Sequence, residues 1–147
     1  YKRINAPVTT SGATWSPNTV TYSGNNRTHM IRIPDPGRFE FRLADGAANP
    51  YLMPAAVLGT GLDGIANGRD PGKRLDINMY TESHKAKGAK RLPLNLLDAL
   101  RALEKSKVLK SALGDETVDA FVKLKMSEWT DYSHHLSEWE RRHTLDC

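Results

Sequence analysis

Cysteine is almost missing from this chain: a single one, Cys147, stands at the last of 147 positions. An intrachain disulfide is therefore excluded, and a reducing cytoplasm is the natural setting. No apolar run reaches the roughly 20 residues that a membrane helix needs. The best stretch, Tyr51 to Ile65, is interrupted by Pro54, Gly59, Gly61, Asp63 and Gly64. The start, Tyr1-Lys2-Arg3-Ile4-Asn5, is not followed by the apolar segment of a secretory signal. Acidic residues are absent before Asp35. Also missing are internal repeats, low-complexity tracts, a G-x-S-x-G nucleophile elbow and a G-x-x-x-x-G-K-[ST] phosphate loop. What is present is ordinary for a globular domain, 39% hydrophobic and 26% charged residues. The length fits one domain. The first residue is tyrosine rather than methionine, so a piece of a longer protein is expected. A net charge of +4 allows an anionic partner, but no nucleic-acid-binding module is recognisable.

Turn chemistry divides the chain. Residues 1 to 26, rich in Thr, Ser, Asn, Gly and Pro, read as a loop with one strand at Thr19 to Tyr22. Thr28 to Ile33 and Arg38 to Leu43 read as strands. Pro34-Asp35-Pro36-Gly37 joins them, so an antiparallel hairpin is expected. Asn49-Pro50 opens a helix, with asparagine accepting a first-turn amide and proline losing no bond beside it. Pro54 should cost that helix a hydrogen bond. A connection follows, and then helices: one on Leu96, Leu97, Leu100 and Leu103, a short one capped by Ser106 and stopped by Gly114, and a long one capped by Asp115. The apolar face of the last runs through Val118, Phe121, Val122, Trp129, Tyr132, Leu136 and Trp139. The expected architecture is α+β, a small antiparallel sheet followed by helices. Its parts are a loop-and-strand segment (1–48), a helix (49–67), a connection (68–93) and a helical tail (94–143).

The chemistry concentrates in Arg38-Phe39-Glu40-Phe41-Arg42-Leu43. Alternation puts Arg38, Glu40 and Arg42 on one face of a strand, two guanidiniums flanking a carboxylate. Guanidinium forks bind phosphate or carboxylate, and a carboxylate between them can hold a hard divalent cation. A solvated strand face with cross-strand ion pairs uses the same pattern. Arg27 and Arg32 bring the arginines to four within sixteen residues, more charge than Asp35, Glu40 and Asp45 neutralise. A metal-bound triphosphate would do so. His134, His135 and Glu138 read as a solvated helix face, with no further ligand pattern beside them.

Asn26-Arg27-Thr28, Ile31-Arg32-Ile33-Pro34, Arg38 to Leu43, and Asp45 through Ala48-Asn49-Pro50-Tyr51-Leu52 to Gly61-Leu62-Asp63-Gly64-Ile65, with Tyr1-Lys2-Arg3 before them, resemble the C-terminal signature of the glutamine synthetase catalytic domain. The resemblance implies an ATP-dependent ligase that joins ammonia to glutamate through γ-glutamyl phosphate, with Mg2+ or Mn2+, in a ring-shaped homo-oligomer. It implies that Glu40 is a metal ligand, that Arg3 and Arg42 bind glutamate, and that Arg27 stabilises the transferring phosphoryl group. Arg27, Arg32 and Arg38 would contact ATP. Neither nucleic acid nor membrane is implied as a partner.

Two departures from the signature carry consequences. Trp15 falls near the place of the usual flap glutamate, and a more apolar flap suits an alkylamine, as in the related γ-glutamylmethylamide synthetases. Asn78-Met79-Tyr80 resembles a segment bearing a regulatory tyrosine, but Thr81-Glu82-Ser83 departs from it, so nucleotidylation of Tyr80 is not expected. Only one expected metal ligand is present, so the chain alone should be inactive. A basic polyanion-binding module without chemistry is the alternative of another class.

Overall fold

The computed structural model describes residues 16–144, and Arg3, Trp15 and Cys147 lie outside them. Strands β1 (Tyr22–Ser23), β2 (Ile31–Asp35) and β3 (Arg38–Phe41) form one sheet in that order. β2 and β3 make the antiparallel hairpin, with Ile31 opposite Phe41 and Arg32 opposite Glu40. Gly37 supplies the positive φ, 75°, that the tight turn needs. The register slips by one residue between Arg32 and Asp35, where Pro34 has no amide to give to β3.

β1 departs from the expected layout. It is shorter and later than Thr19 to Tyr22, and it pairs parallel to β2, with Tyr22 opposite Ile31, so the sheet is mixed. Parallel pairing ordinarily requires a crossover of a dozen or more residues. Here the paired segment is so short that the loop of residues 24–30 returns the chain to its start. The turn closes on itself through Asn26 N–H to Gly24 O, 2.7 Å, while Ile31 N–H bonds Thr21 O at 3.1 Å. Thr19 instead bridges Arg91.

Helix α1 (Leu52–Ala66) begins as the sequence indicates. Asn49 Oδ1 accepts the amides of Tyr51 and Leu52 at 2.9 and 3.0 Å, so the cap lies at Asn49, just ahead of the regular turns. The helix continues unbroken through Pro54. Gly59 lets it approach α3 (Lys107–Leu113), since a Cβ there would stand 2.5 Å from the Ala112 methyl. Its outer face, with Leu58, Leu62 and Ile65, is exposed.

The core lies between α2 (Leu96–Glu104) and α4 (Asp115–His134). Leu100, Val118 and Val122 are buried, with Leu96, Leu103, Leu113 and Met126 packed around them. Each fully buried aliphatic side chain contributes about 1.5–3 kcal/mol. Asn95 caps α2 through the Asp98 amide, and Ser106 caps α3 through the Leu109 amide. Gly114, at φ 86°, ends α3 and directly precedes α4. Asp115 sits inside the first turn of α4 without capping it, a correction to the sequence reading. A second correction concerns α4's far end. The chain leaves the helix at His135, and α5 (Glu138–Thr144) starts anew. A reciprocal cap sets that restart: Ser137 N–H bonds Glu140 Oε2 at 2.7 Å and Glu140 N–H bonds Ser137 Oγ at 3.2 Å. Tyr132 and Trp139 are consequently exposed rather than part of one continuous apolar seam. No described helix is long and apolar enough to cross a membrane.

Candidate active site

The mixed sheet carries the charged cluster. Arg32 and Glu40 face each other across the hairpin because their backbones are paired, and Arg42 follows two residues after Glu40 on the same side. Although Arg42 lies just past β3, its amide still bonds Met30 O at 2.9 Å, so its side chain keeps the strand's alternation. Arg32 Nη1 donates to Glu40 Oε1 at 2.6 Å, and Arg42 Nη1 approaches Glu40 Oε2 at 3.5 Å. The carboxylate thus sits between two guanidiniums, on a face that is only partly open: the Glu40 side chain is 34% exposed and that of Arg32 12%. The hydrogen bond from Arg32 holds the Glu40 carboxyl below its ordinary acidity range. Partial desolvation opposes this, and the charges of both arginines assist it. Glu40 is accordingly an ionised oxygen donor at neutral pH.

Arg27 enters the cluster by its backbone. Its carbonyl accepts from Arg42 Nε at 3.2 Å, and its side chain is exposed. Arg38 stands apart. It lies at the turn end of β3 and pairs with Asp35 at 3.0 Å, both well exposed. Phe39, on the opposite side of the strand, is 58% exposed. The structure therefore brings together Arg27, Arg32, Glu40 and Arg42, leaves Arg38 paired with Asp35 at the turn end of β3, and does not describe Arg3.

Beneath the Arg27 loop lies a polar clamp that the sequence did not announce. Asn26 Oδ1 accepts the Thr28 amide and hydroxyl at 3.0 and 2.8 Å, bracketing Arg27, and Asn26 Nδ2 donates to Ile77 O at 2.8 Å. Thr28 Oγ1 accepts the Met79 amide at 3.1 Å. His29 is fully buried, with Nδ1 bonded to the Thr21 hydroxyl and Nε2 to Ile77 O, each at 2.9 Å. A carbonyl can only accept, so Nε2 carries a hydrogen. Ser23 Oγ donates to Asp76 Oδ1 at 2.8 Å. The connection after α1 is thereby pinned under the loop that bears Arg27. Two adjacent polar residues, Asn25-Asn26, and a histidine inside a strand-like run were the sequence signals for this clamp. None of them specifies a partner some fifty residues away.

A family model described as "Glutamine synthetase, catalytic domain" matches residues 1–144. The chain belongs to the glutamine synthetase family. It is 62% identical over 146 residues to a glutamine synthetase of Rhizobium leguminosarum bv. phaseoli, covering 99% of this chain and 34% of that protein. It is 48% identical over 143 residues to a glutamate–methylamine ligase of Methyloversatilis universalis, covering 95% of this chain and 32% of that protein. A solved GmaS/ADP complex superposes with a TM-score of 0.91 at 67% identity, covering all of this chain and 34% of that one. The chain thus spans about a third of the length of these relatives. Such enzymes generally depend on divalent metal, and Glu40 fits one donor of a metal site: a hard, ionised oxygen beside cationic groups. Among the described residues no group of three or more His, Cys, Asp or Glu side chains gathers, the His134–His135–Glu138 segment included.

Proposed function

We propose that the intact protein is an ATP-dependent ligase that joins ammonia to the side-chain carboxylate of glutamate by way of γ-glutamyl phosphate. The observation that carries this reading is Glu40 held between Arg32 and Arg42 over the Arg27 loop. Phosphoryl transfer asks a protein mainly for positioning and charge neutralisation. Arg32 and Arg38 bind the ATP phosphates, Arg27 faces the group in transfer, and Arg42 with Arg3 orients the carboxylates of glutamate. Glu40 would hold Mg2+ or Mn2+, with its other ligands supplied from residues outside 16–144. That ion, when bound, offsets phosphate charge and strengthens the electrophile. The amine then attacks the acyl carbon, the C–O bond to phosphate breaks, inorganic phosphate leaves, and the amine gives up a proton. A ring-shaped homo-oligomer would complete each site from neighbouring subunits.

A second reading replaces ammonia by methylamine. The chain has no Asp or Glu between Arg3 and Asp35 where a flap carboxylate would serve ammonium, and the glutamate–methylamine ligase and the GmaS structure are among its relatives. The test is glutamate-dependent ADP release by the full-length protein with Mg2+, ATP and either ammonium or methylamine. Release with ammonium supports the first reading and preference for methylamine supports the second. No release with either amine leaves neither standing.

A further inference from the structure

We propose that Asn25 is a positioning residue that aims the Arg32 guanidinium at a nucleotide phosphate. The inference rests on the reading above, in which Arg32 contacts ATP. Asn25 is exposed in the return loop between β1 and β2 and has no place in the core. Its Oδ1 nevertheless accepts from two atoms of Arg32, Nε at 2.9 Å and Nη2 in a shorter contact. Nη1 donates to Glu40 Oε1 at 2.6 Å.

A guanidinium held at one atom can swing about that bond. Held along the Nε–Nη2 edge and again at Nη1, its plane is fixed. A guanidinium has five N–H groups. Among the described residues, the three bonds to Asn25 and Glu40 leave one N–H on each terminal nitrogen. These two N–H groups remain to donate to phosphate oxygens, the anion for which the guanidinium fork is suited. Asn25 does this as a neutral acceptor. A carboxylate in its place would draw the same fork but add negative charge where phosphate must sit. The geometry thus assigns Glu40 and Asn25 different tasks on one arginine: the first couples it to the metal-binding carboxylate, the second sets its plane.

The test is calorimetric titration of ADP with Mg2+ into the full-length protein and its Asn25→Ala, Arg32→Ala and doubly substituted forms. Losing a hydrogen bond to a charged group corresponds to a change of about tenfold or more, so Asn25→Ala should weaken ADP binding by about tenfold. In the Arg32→Ala background the same change should cost less than about twofold, because Asn25 acts through Arg32. The melting temperature of the unliganded protein should move little, which a merely structural role would not allow. Unchanged affinity in Asn25→Ala with a loss in Arg32→Ala would overturn the proposal while leaving Arg32 a nucleotide contact. Independent, multiplying losses in the double variant would also overturn it. Full affinity in Arg32→Ala would remove both this proposal and the role of Arg32 beneath it.

Discussion

His29→Phe probes what the buried clamp contributes, because the substitution keeps a planar aromatic ring, somewhat larger than imidazole, and removes both ring hydrogen bonds. The two ends of the clamp respond differently. The Ile77 carbonyl keeps its bond from Asn26 Nδ2 at 2.8 Å, so the loss there is that of one ordinary hydrogen bond, about 1 kcal/mol. The Thr21 hydroxyl is 7% exposed and, among the described residues, bonds only the ring. Stranding it costs about 1–3 kcal/mol. The sum is about 2–4 kcal/mol of stability. Thr21→Val in the same chain removes the stranded hydroxyl and should return about 1–2 kcal/mol, whereas Thr21→Val alone should destabilise by stranding Nδ1. Urea midpoints of the full-length protein and the three variants measure all of these. A His29→Phe protein as stable as the parent, or a double variant showing the sum of the single losses, would refute the reasoning.

Arg42→Lys keeps the charge of the residue beside Glu40 but loses its fork, and it should raise the KM for glutamate well before it lowers the affinity for ADP. An unchanged glutamate KM would remove Arg42 from the substrate site. The acid limb of stability should depend on Glu40 and Asp76, whose carboxyls are both held below their ordinary range. For Glu40 the main cause is the Arg32 hydrogen bond; for Asp76 it is the Arg74 bond, with Ser23 next. A lowered folded-state value means that the stabilisation is fully present above the ordinary carboxylate range near ~4 and is lost only as pH falls through the lower folded value. Asp76→Asn should therefore flatten the fall of the melting temperature below about pH 4. An acid limb as steep as the parent's would contradict that assignment.

Local chemistry was legible in the sequence wherever it acts over a few residues. Asn49, Ser106 and Gly114 mark helix ends because the groups they satisfy lie within four positions, and Pro34 to Gly37 announces the hairpin for the same reason. The alternation of Arg38, Glu40 and Arg42 identified the face of the candidate site. Which arginines meet Glu40 was not legible, because that follows from register. The slip before Asp35 sends Arg38 to Asp35 and leaves Arg32 opposite Glu40. The parallel pairing of β1 escaped because it arises beside contacts far along the chain, with residues 72–77 through Tyr22, Ser23, Asn26 and His29 and with residues 90–92 through Asn18, Thr19 and Val20. The break at His135 was signalled by Ser137-Glu138-Trp139-Glu140, a capping sequence masked by apolar residues that continue at helical spacing across it.

Glu40→Gln in the full-length protein tests the central claim most directly, that the carboxylate between Arg32 and Arg42 serves the metal–phosphate end of a ligase site. Glutamine keeps the size and one hydrogen-bond acceptor but removes the charged donor. Glutamate-dependent ADP release should fall by at least ~10²-fold, the scale of losing one group that stabilises the transition state, and the Mg2+ needed for half-maximal rate should rise. Near-normal turnover at an unchanged Mg2+ requirement would contradict the account.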